Sequence, residues 1–318
     1  MLEFKQELAE LASSRIGGMT EHVSRRRKTT RLDGQARSRV LGQILKAGST
    51  VVPVADPQVP PVLTGSERAL TRMAIMSDKN LPRVVDLWND MAHIPVDEAL
   101  LDRNLVITAT RTDPAHMHFE VLRARLVKAL AENNWKRIAV TSPTDGCGKT
   151  FTAVNLAIAL SRYESCRTVL MDMNLRRPGD VARMLGARHA GSMSAFLRGQ
   201  RALESSVMRM GQNLLRIGPN LAIGLNDRED SYAAEILAHP DSARVLDRMM
   251  EDLGPDFVIH DLPSVLSHDD VLTFRRQYDA VLLVSGGGLT SDDDLSETMR
   301  RLGDDTPVLG IVLNRGEA

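Results

Sequence analysis

From residue 137 onward, short and almost wholly apolar runs alternate with longer segments whose apolar residues return every three or four positions. The runs are IAVTS (138–142), TVLMD (168–172), DFVIHD (256–261), AVLLVSG (280–286) and VLGIVLN (308–314). Near-continuous hydrophobicity is expected of parallel strands covered on both faces, where neither side of the pleat meets water. Between them, 151–162 and 231–252 are expected as amphipathic helices. The alternation predicts an α/β fold with a doubly wound, mostly parallel sheet. Upstream, Asp113-Pro114 suits a helix start with proline in the first helical position. Phe119, Leu122, Leu126 and Leu130 then line one face of a helix over 114–132.

The first hundred residues carry a different pattern. Phe4, Leu8 and Leu11 fall at helical spacing, and Val40, Leu41, Ile44 and Leu45 suggest a second short helix. Between them lies a basic cluster, Arg25, Arg26, Arg27, Lys28 and Arg31, read as a solvated segment rather than a lipid contact. The stretch VVPVADPQVPPVL holds Pro53, Pro57, Pro60 and Pro61, which exclude continuous helix and central strand and predict an extended linker. Residues 66–103 read as helical in pieces, with Trp88 and Met91 as packing residues. The expected division is a helical or flexible N-terminal region at 1–105 and an α/β domain at 106–318.

Composition changes this picture little. Hydrophobic residues make up 43% and charged residues 25% of the 318, as in a soluble globular protein. A net charge of -1 gives no electrostatic case for nucleic acid. Two cysteines, Cys147 and Cys166, are too few for a disulfide framework and are expected as free thiols in the cytoplasm. No apolar run approaches the roughly 20 residues of a membrane helix. The N-terminus mixes charge into its apolar positions, unlike a secretory signal. A membrane role is therefore expected only through a partner, at the inner face of the membrane.

The chemistry is concentrated after three of the strands. Ser142-Pro143-Thr144-Asp145-Gly146-Cys147-Gly148-Lys149-Thr150 follows a strand and opens a helix, the setting of a phosphate-binding P-loop. Glycines let backbone N–H groups curl around phosphate, and the helix N-terminus faces the same anion. Asp145, Gly146, Cys147, Gly148, Lys149, Thr150 and Phe151 are the expected nucleotide cradle, with Asn314 as a further contact. Lys149 is expected on the β- and γ-phosphates of ATP and the Thr150 hydroxyl on Mg2+. Pro143 stands where G-x-x-x-x-G-K-[ST] has its first glycine. Cys147, at a helix N-terminus where a thiol pKa falls, is read as a small loop residue rather than a redox switch.

Asp172 and Asp261 each close a strand, and ligands of open α/β sheets lie beyond the carboxyl ends of the strands. Both are expected to face the metal, one strand-width apart. Asp261 is assigned to magnesium through water, and Asp172 to the catalytic base or a second water-mediated contact. Ser267-His268-Asp269-Asp270 and Thr290-Ser291-Asp292-Asp293-Asp294 fit helix starts. His260 is read as structural. Arg176 and Arg177 fit a phosphate contact, a neighbouring subunit or solvent equally.

The ordered set SPTDGCGKT, VLMDMNLRRP and FVIHDLPSV resembles the Walker A, Walker A′ and Walker B motifs of the bacterial tyrosine kinases of capsule and exopolysaccharide synthesis. The likeness continues through NWKRIAVTS, AVNLAIALSR, YAAEIL and TPVLGIVLNR, over residues 113–316. It implies a P-loop NTPase fold related to MinD and ParA, and ATP-dependent phosphorylation of protein tyrosine. It also implies a transmembrane polysaccharide co-polymerase as partner, and homo-oligomeric rings. This chain departs from the pattern at Asn174, where the family has a second acid. It departs again at Met117 and Glu120, where the family has the first two residues of Glu-x-x-Arg-x-x-Arg, and keeps only the last arginine, Arg123. Its tyrosines are Tyr163, Tyr232 and Tyr278, so transfer to another protein is expected rather than to a tyrosine-rich tail. A MinD/ParA-type ATPase is disfavoured by Thr144 at the position of that class's extra lysine. A non-catalytic nucleotide switch on the co-polymerase is the remaining alternative.

Overall fold

The computed structural model describes residues 81–162, 166–188 and 191–315. The expectations for the helices, basic cluster and linker before residue 81, and for Tyr163, lie outside the described residues.

Eight strands form one sheet in the order β1-β4-β5-β3-β6-β2-β7-β8. They are β1 (Ala92–Ile94), β2 (Arg137–Thr141), β3 (Thr168–Asp172), β4 (Val207–Met210), β5 (Leu221–Gly224), β6 (Phe257–Asp261), β7 (Ala280–Gly286) and β8 (Val308–Asn314). All neighbours are parallel except β4 and β5, which gives the doubly wound, mostly parallel sheet that the apolar runs predict. β3 and β7 are buried at every position, because helices cover both faces. The helix Lys149–Ser161 is buried nearly all round. Ala153, Ala157 and Ala159 allow close approach to the sheet, so its pattern is apolar rather than amphipathic.

The packed unit begins before residue 106. Trp88, Met91, Ile94 and Leu101 are buried, and Trp88 Nε1 donates to the Leu253 carbonyl at 2.8 Å. β1 lengthens the sheet by pairing with β4. The boundary expected at 105/106 therefore falls inside the core. The strand β1 has three residues, of which only Ile94 is buried, too short a segment for periodicity to register.

The expected helix 231–252 is two helices, Ala233–Ala238 and Pro240–Leu253. Pro240 has no N–H and forces the residue before it out of the helical region. His239 accordingly has φ -69 and ψ 138, and its ring nitrogen accepts from the Asp241 N–H as the cap of the second helix. The helix start expected at Thr290-Ser291 is present as a capping box between Ser291 and Asp294. Ser291→Ala should destabilise the protein by about 1 kcal/mol. Urea unfolding should show a lower midpoint with an unchanged slope.

Candidate functional site

Strand β2 runs between β6 and β7 and delivers the phosphate-loop sequence at the carboxyl edge of the sheet. Thr141 Oγ1 donates to the Pro263 carbonyl at 2.6 Å, and Ser142 Oγ to the Thr144 carbonyl at 2.7 Å. Gly146 and Gly148 take φ of +83 and +91, which turn the chain into a concave cradle. A Cβ on Gly148 would lie 2.0 Å from Asn314 Nδ2, and that nitrogen donates to the Cys147 carbonyl at 2.9 Å. Asn314 at the end of β8 thus shapes the loop. Among the described residues, no backbone hydrogen bond outside helices and strands uses the N–H groups of residues 145–148. The helix Lys149–Ser161 has no side-chain cap, so its first-turn donors are left for an anion.

Lys149 is buried, and its Nζ lies 3.6 Å from Asp145 Oδ1. Thr150 Oγ1 donates to Asp261 Oδ2 at 2.6 Å. Asp261 stands opposite Asp172 in the parallel register of β6 and β3, and both are 1% exposed. Asp172 Oδ1 accepts from the Asn174 N–H at 3.3 Å. Asp172 Oδ2 and Asp261 Oδ1 are buried without a hydrogen-bond partner. Burial, with Asp261 as a like charge, pushes the Asp172 carboxyl well above its ordinary range. Burial also pushes Asp261 up to about 6, against the pull of Thr150 and Lys149.

Two orphaned carboxylate oxygens beside a hydroxyl suit a hard divalent cation, whose charge would offset the cost of ionising both acids. Among the described residues no three His, Cys, Asp or Glu gather to hold a metal by themselves. Magnesium takes one or two carboxylates and fills its shell with phosphate oxygens and water.

Two residues differ from their expected roles. The Phe151 ring packs edge-on against Phe119 with centroids 5.7 Å apart, so only its backbone stands at the helix start. Asp270 is fully buried and receives Arg176 at 2.8 and 2.9 Å, a bidentate pair in place of a helix cap. Asn174 Oδ1 accepts from the Arg177 N–H at 3.1 Å, which fixes the turn after β3. Cys147 is buried with its Sγ 3.5 Å from Thr144 Oγ1 and 3.4 Å from Thr290 Oγ1. Burial raises that thiol, but the bonds from Thr144 and Thr290 outweigh it and hold the pKa below the ordinary value. His260 is buried, edge-on to Phe274, and desolvation lowers it to about 3, so it is a neutral core residue.

Sequence patterns did not single out Ser264. Its hydroxyl donates to Asp145 Oδ1, and its only signal is its place two residues after the leucine that follows Asp261.

No family model matches the chain. The EpsB protein of Ralstonia solanacearum is 26% identical over 283 residues, covering 83% of this chain and 36% of EpsB. The chain thus spans about a third of that relative. The tyrosine-protein kinase YwqD of Bacillus subtilis is 24% identical over 220 residues, 67% of this chain and 86% of YwqD. Among solved structures, the kinase domain of the Escherichia coli tyrosine kinase ETK superposes with a TM-score of 0.58 at 23% identity, over 70% of this chain and 88% of that one. The chimeric protein CapA2B2 reaches 0.60 at 21% identity, over 68% and 91%. The chain therefore shares its fold with these domains, and its likeness to bacterial tyrosine kinases extends from the motifs to named relatives.

Proposed function

We propose that this protein binds Mg-ATP and transfers the γ-phosphate to protein tyrosine, as a regulator of exopolysaccharide or capsule assembly. The observation that carries this reading is the in-register pair Asp172 and Asp261, with Thr150 bonded to Asp261 on the helix that Lys149 opens. Lys149 pairs with the β- and γ-oxygens, and the N–H groups of the loop hold the remaining phosphate charge. Thr150 and Asp261 are the residues to hold magnesium, which supplies charge neutralisation on the transferring group. Asp172 orients the acceptor hydroxyl and takes its proton. From the family that its motifs resemble, we infer a transmembrane polysaccharide co-polymerase as its partner, at the inner face of the membrane. Among the described residues, no helix is long and apolar enough to cross a membrane.

Homo-oligomer formation is part of this proposal. Within the helix His116–Asn133, Glu120 accepts from Arg123 and from Arg111 of the same chain, while Met117 is exposed. A ring would have to form without the family's full charged motif.

The expected acceptor is another protein. Tyr278 is buried and its hydroxyl donates to the Val271 carbonyl at 3.1 Å, so it cannot come in line with a phosphate without unfolding. Tyr232 is 65% exposed, so it needs no unfolding to meet a phosphate held by a second subunit. Incubation with Mg-ATP, with and without membrane fractions, followed by phosphotyrosine mapping should label partner proteins and, between these two, Tyr232 rather than Tyr278. Release of ADP with no phosphotyrosine on any protein would refute kinase activity. The non-catalytic switch would then stand, a reading favoured by Asn174 being spent on its own turn.

A further inference from the structure

One carboxylate ties together the three loops that border the phosphate cradle. Asp145 belongs to the loop after β2, and its Oδ1 accepts from Ser264 in the loop after β6. The same oxygen lies 3.6 Å from Lys149 Nζ, and Oδ2 accepts from Arg177 Nη1, in the loop after β3, at 3.1 Å. Lys149 is the cation that the loop offers to the terminal phosphates. Arg176 is already committed to Asp270, which leaves Arg177 as the other guanidinium of that turn. Lys149 and Arg177 are thus both engaged by an anion placed inside the cradle.

We propose that Asp145 competes with the terminal phosphate of the nucleotide for Lys149 and Arg177, and so sets the preference between nucleoside triphosphate and diphosphate. This rests on the reading of the loop as a nucleotide site. A carboxylate resembles a phosphoryl group in charge and in its capacity for Arg and Lys contacts. Binding a triphosphate requires Lys149 to exchange one anion for another, and the displaced carboxylate stays near the incoming charge. The repulsion is felt most by the phosphate that Lys149 contacts. It is weaker for a diphosphate, which carries less charge toward that end. Asp145 stays ionised for this role: burial opposes it, yet Ser264, Lys149 and Arg177 hold its carboxyl below the ordinary value. Ser264 provides the alternative anchor, a neutral hydroxyl that keeps Asp145 when the cations leave.

The test is isothermal calorimetry of ATP and ADP, each with magnesium, on the full chain and on Asp145→Asn and Asp145→Ala. Both variants should bind ATP about three- to tenfold more tightly, the size expected for removing partly exposed ion pairs. ADP affinity should rise less, so the ATP-to-ADP affinity ratio should increase. Rising salt should narrow the gap between variants and the unaltered protein. Two variants guard against a local folding defect, which thermal melting would reveal in one and not the other. Unchanged or weaker ATP binding in both variants, with Lys149→Met still losing affinity, would overturn the competition and leave the nucleotide site intact. An unaltered protein that binds neither nucleotide would overturn both.

Discussion

Replacing Lys149 with methionine should weaken Mg-ATP binding by about tenfold to a hundredfold, since a charge-assisted contact is worth roughly 1.5–3 kcal/mol. Turnover should fall further, by about 10²–10³, the range for removing one preorganised group that meets developing charge. Both the place and the charge of Lys149 contribute. Lys149 is buried at the start of a helix with no side-chain cap, so its ammonium and the helix N-terminus act on one anion. Methionine keeps the length and the apolar contacts of the stem and removes only the charge. The fold should therefore survive, with a melting temperature close to that of the unaltered protein. Calorimetry with Mg-ATP and a steady-state ADP-release assay are the measurements. Equal affinity in both proteins would mean that the loop does not hold phosphate.

The second large effect is expected at Asp261, and it depends on pH. Its folded-state pKa is raised to about 6 from 3.8. Below that value the carboxyl is protonated, and a metal must displace the proton to bind. Magnesium affinity should therefore fall as pH drops below about 6, approaching about tenfold per unit for one displaced proton, and should level off above it. Asp172, also raised, steepens the dependence, because the two acids titrate as a pair. Asp261→Asn removes the ionisable partner of Thr150 while leaving an oxygen to accept its hydroxyl. Magnesium-dependent turnover should drop by about 10²–10³, with metal-free nucleotide binding changed much less. Asn174→Asp, at the position where the resembled family carries an acid, should raise magnesium affinity. A pH-independent magnesium titration, or an unaltered titration in Asp261→Asn, would show that these strand ends do not face the metal.

The central sheet was legible because its strands are buried on both faces. TVLMD, AVLLVSG and VLGIVLN coincide with β3, β7 and β8, the run 256–261 starts one residue before β6, and the run 138–142 is displaced by one residue from β2. The missed strands β1, β4 and β5 have three or four residues each, where neither alternation nor a long apolar run can build up. Trp88 was recognised as a packing residue, but not what it packs on. Its indole meets Leu253 across 165 positions of chain, a tertiary fact with no local signature. Pro240 marked the break between two helices, yet the strong apolar period on both sides hid it. At the site, glycine spacing and strand-end acids announced Lys149, Thr150, Asp172 and Asp261. The ion pairs of Arg176 and Arg177 did not announce themselves, since their partners Asp270 and Asp145 lie 94 and 32 residues away.

Asp172 and Asp261 are proposed to meet a metal that is held with the nucleotide. Calorimetric titration of ATP with and without magnesium, on the unaltered protein and on Asp172→Asn with Asp261→Asn, measures that coupling. The expected result is tighter ATP binding with magnesium in the unaltered protein, and loss of that gain in the double variant. Magnesium strengthening ATP binding equally in both proteins would contradict it.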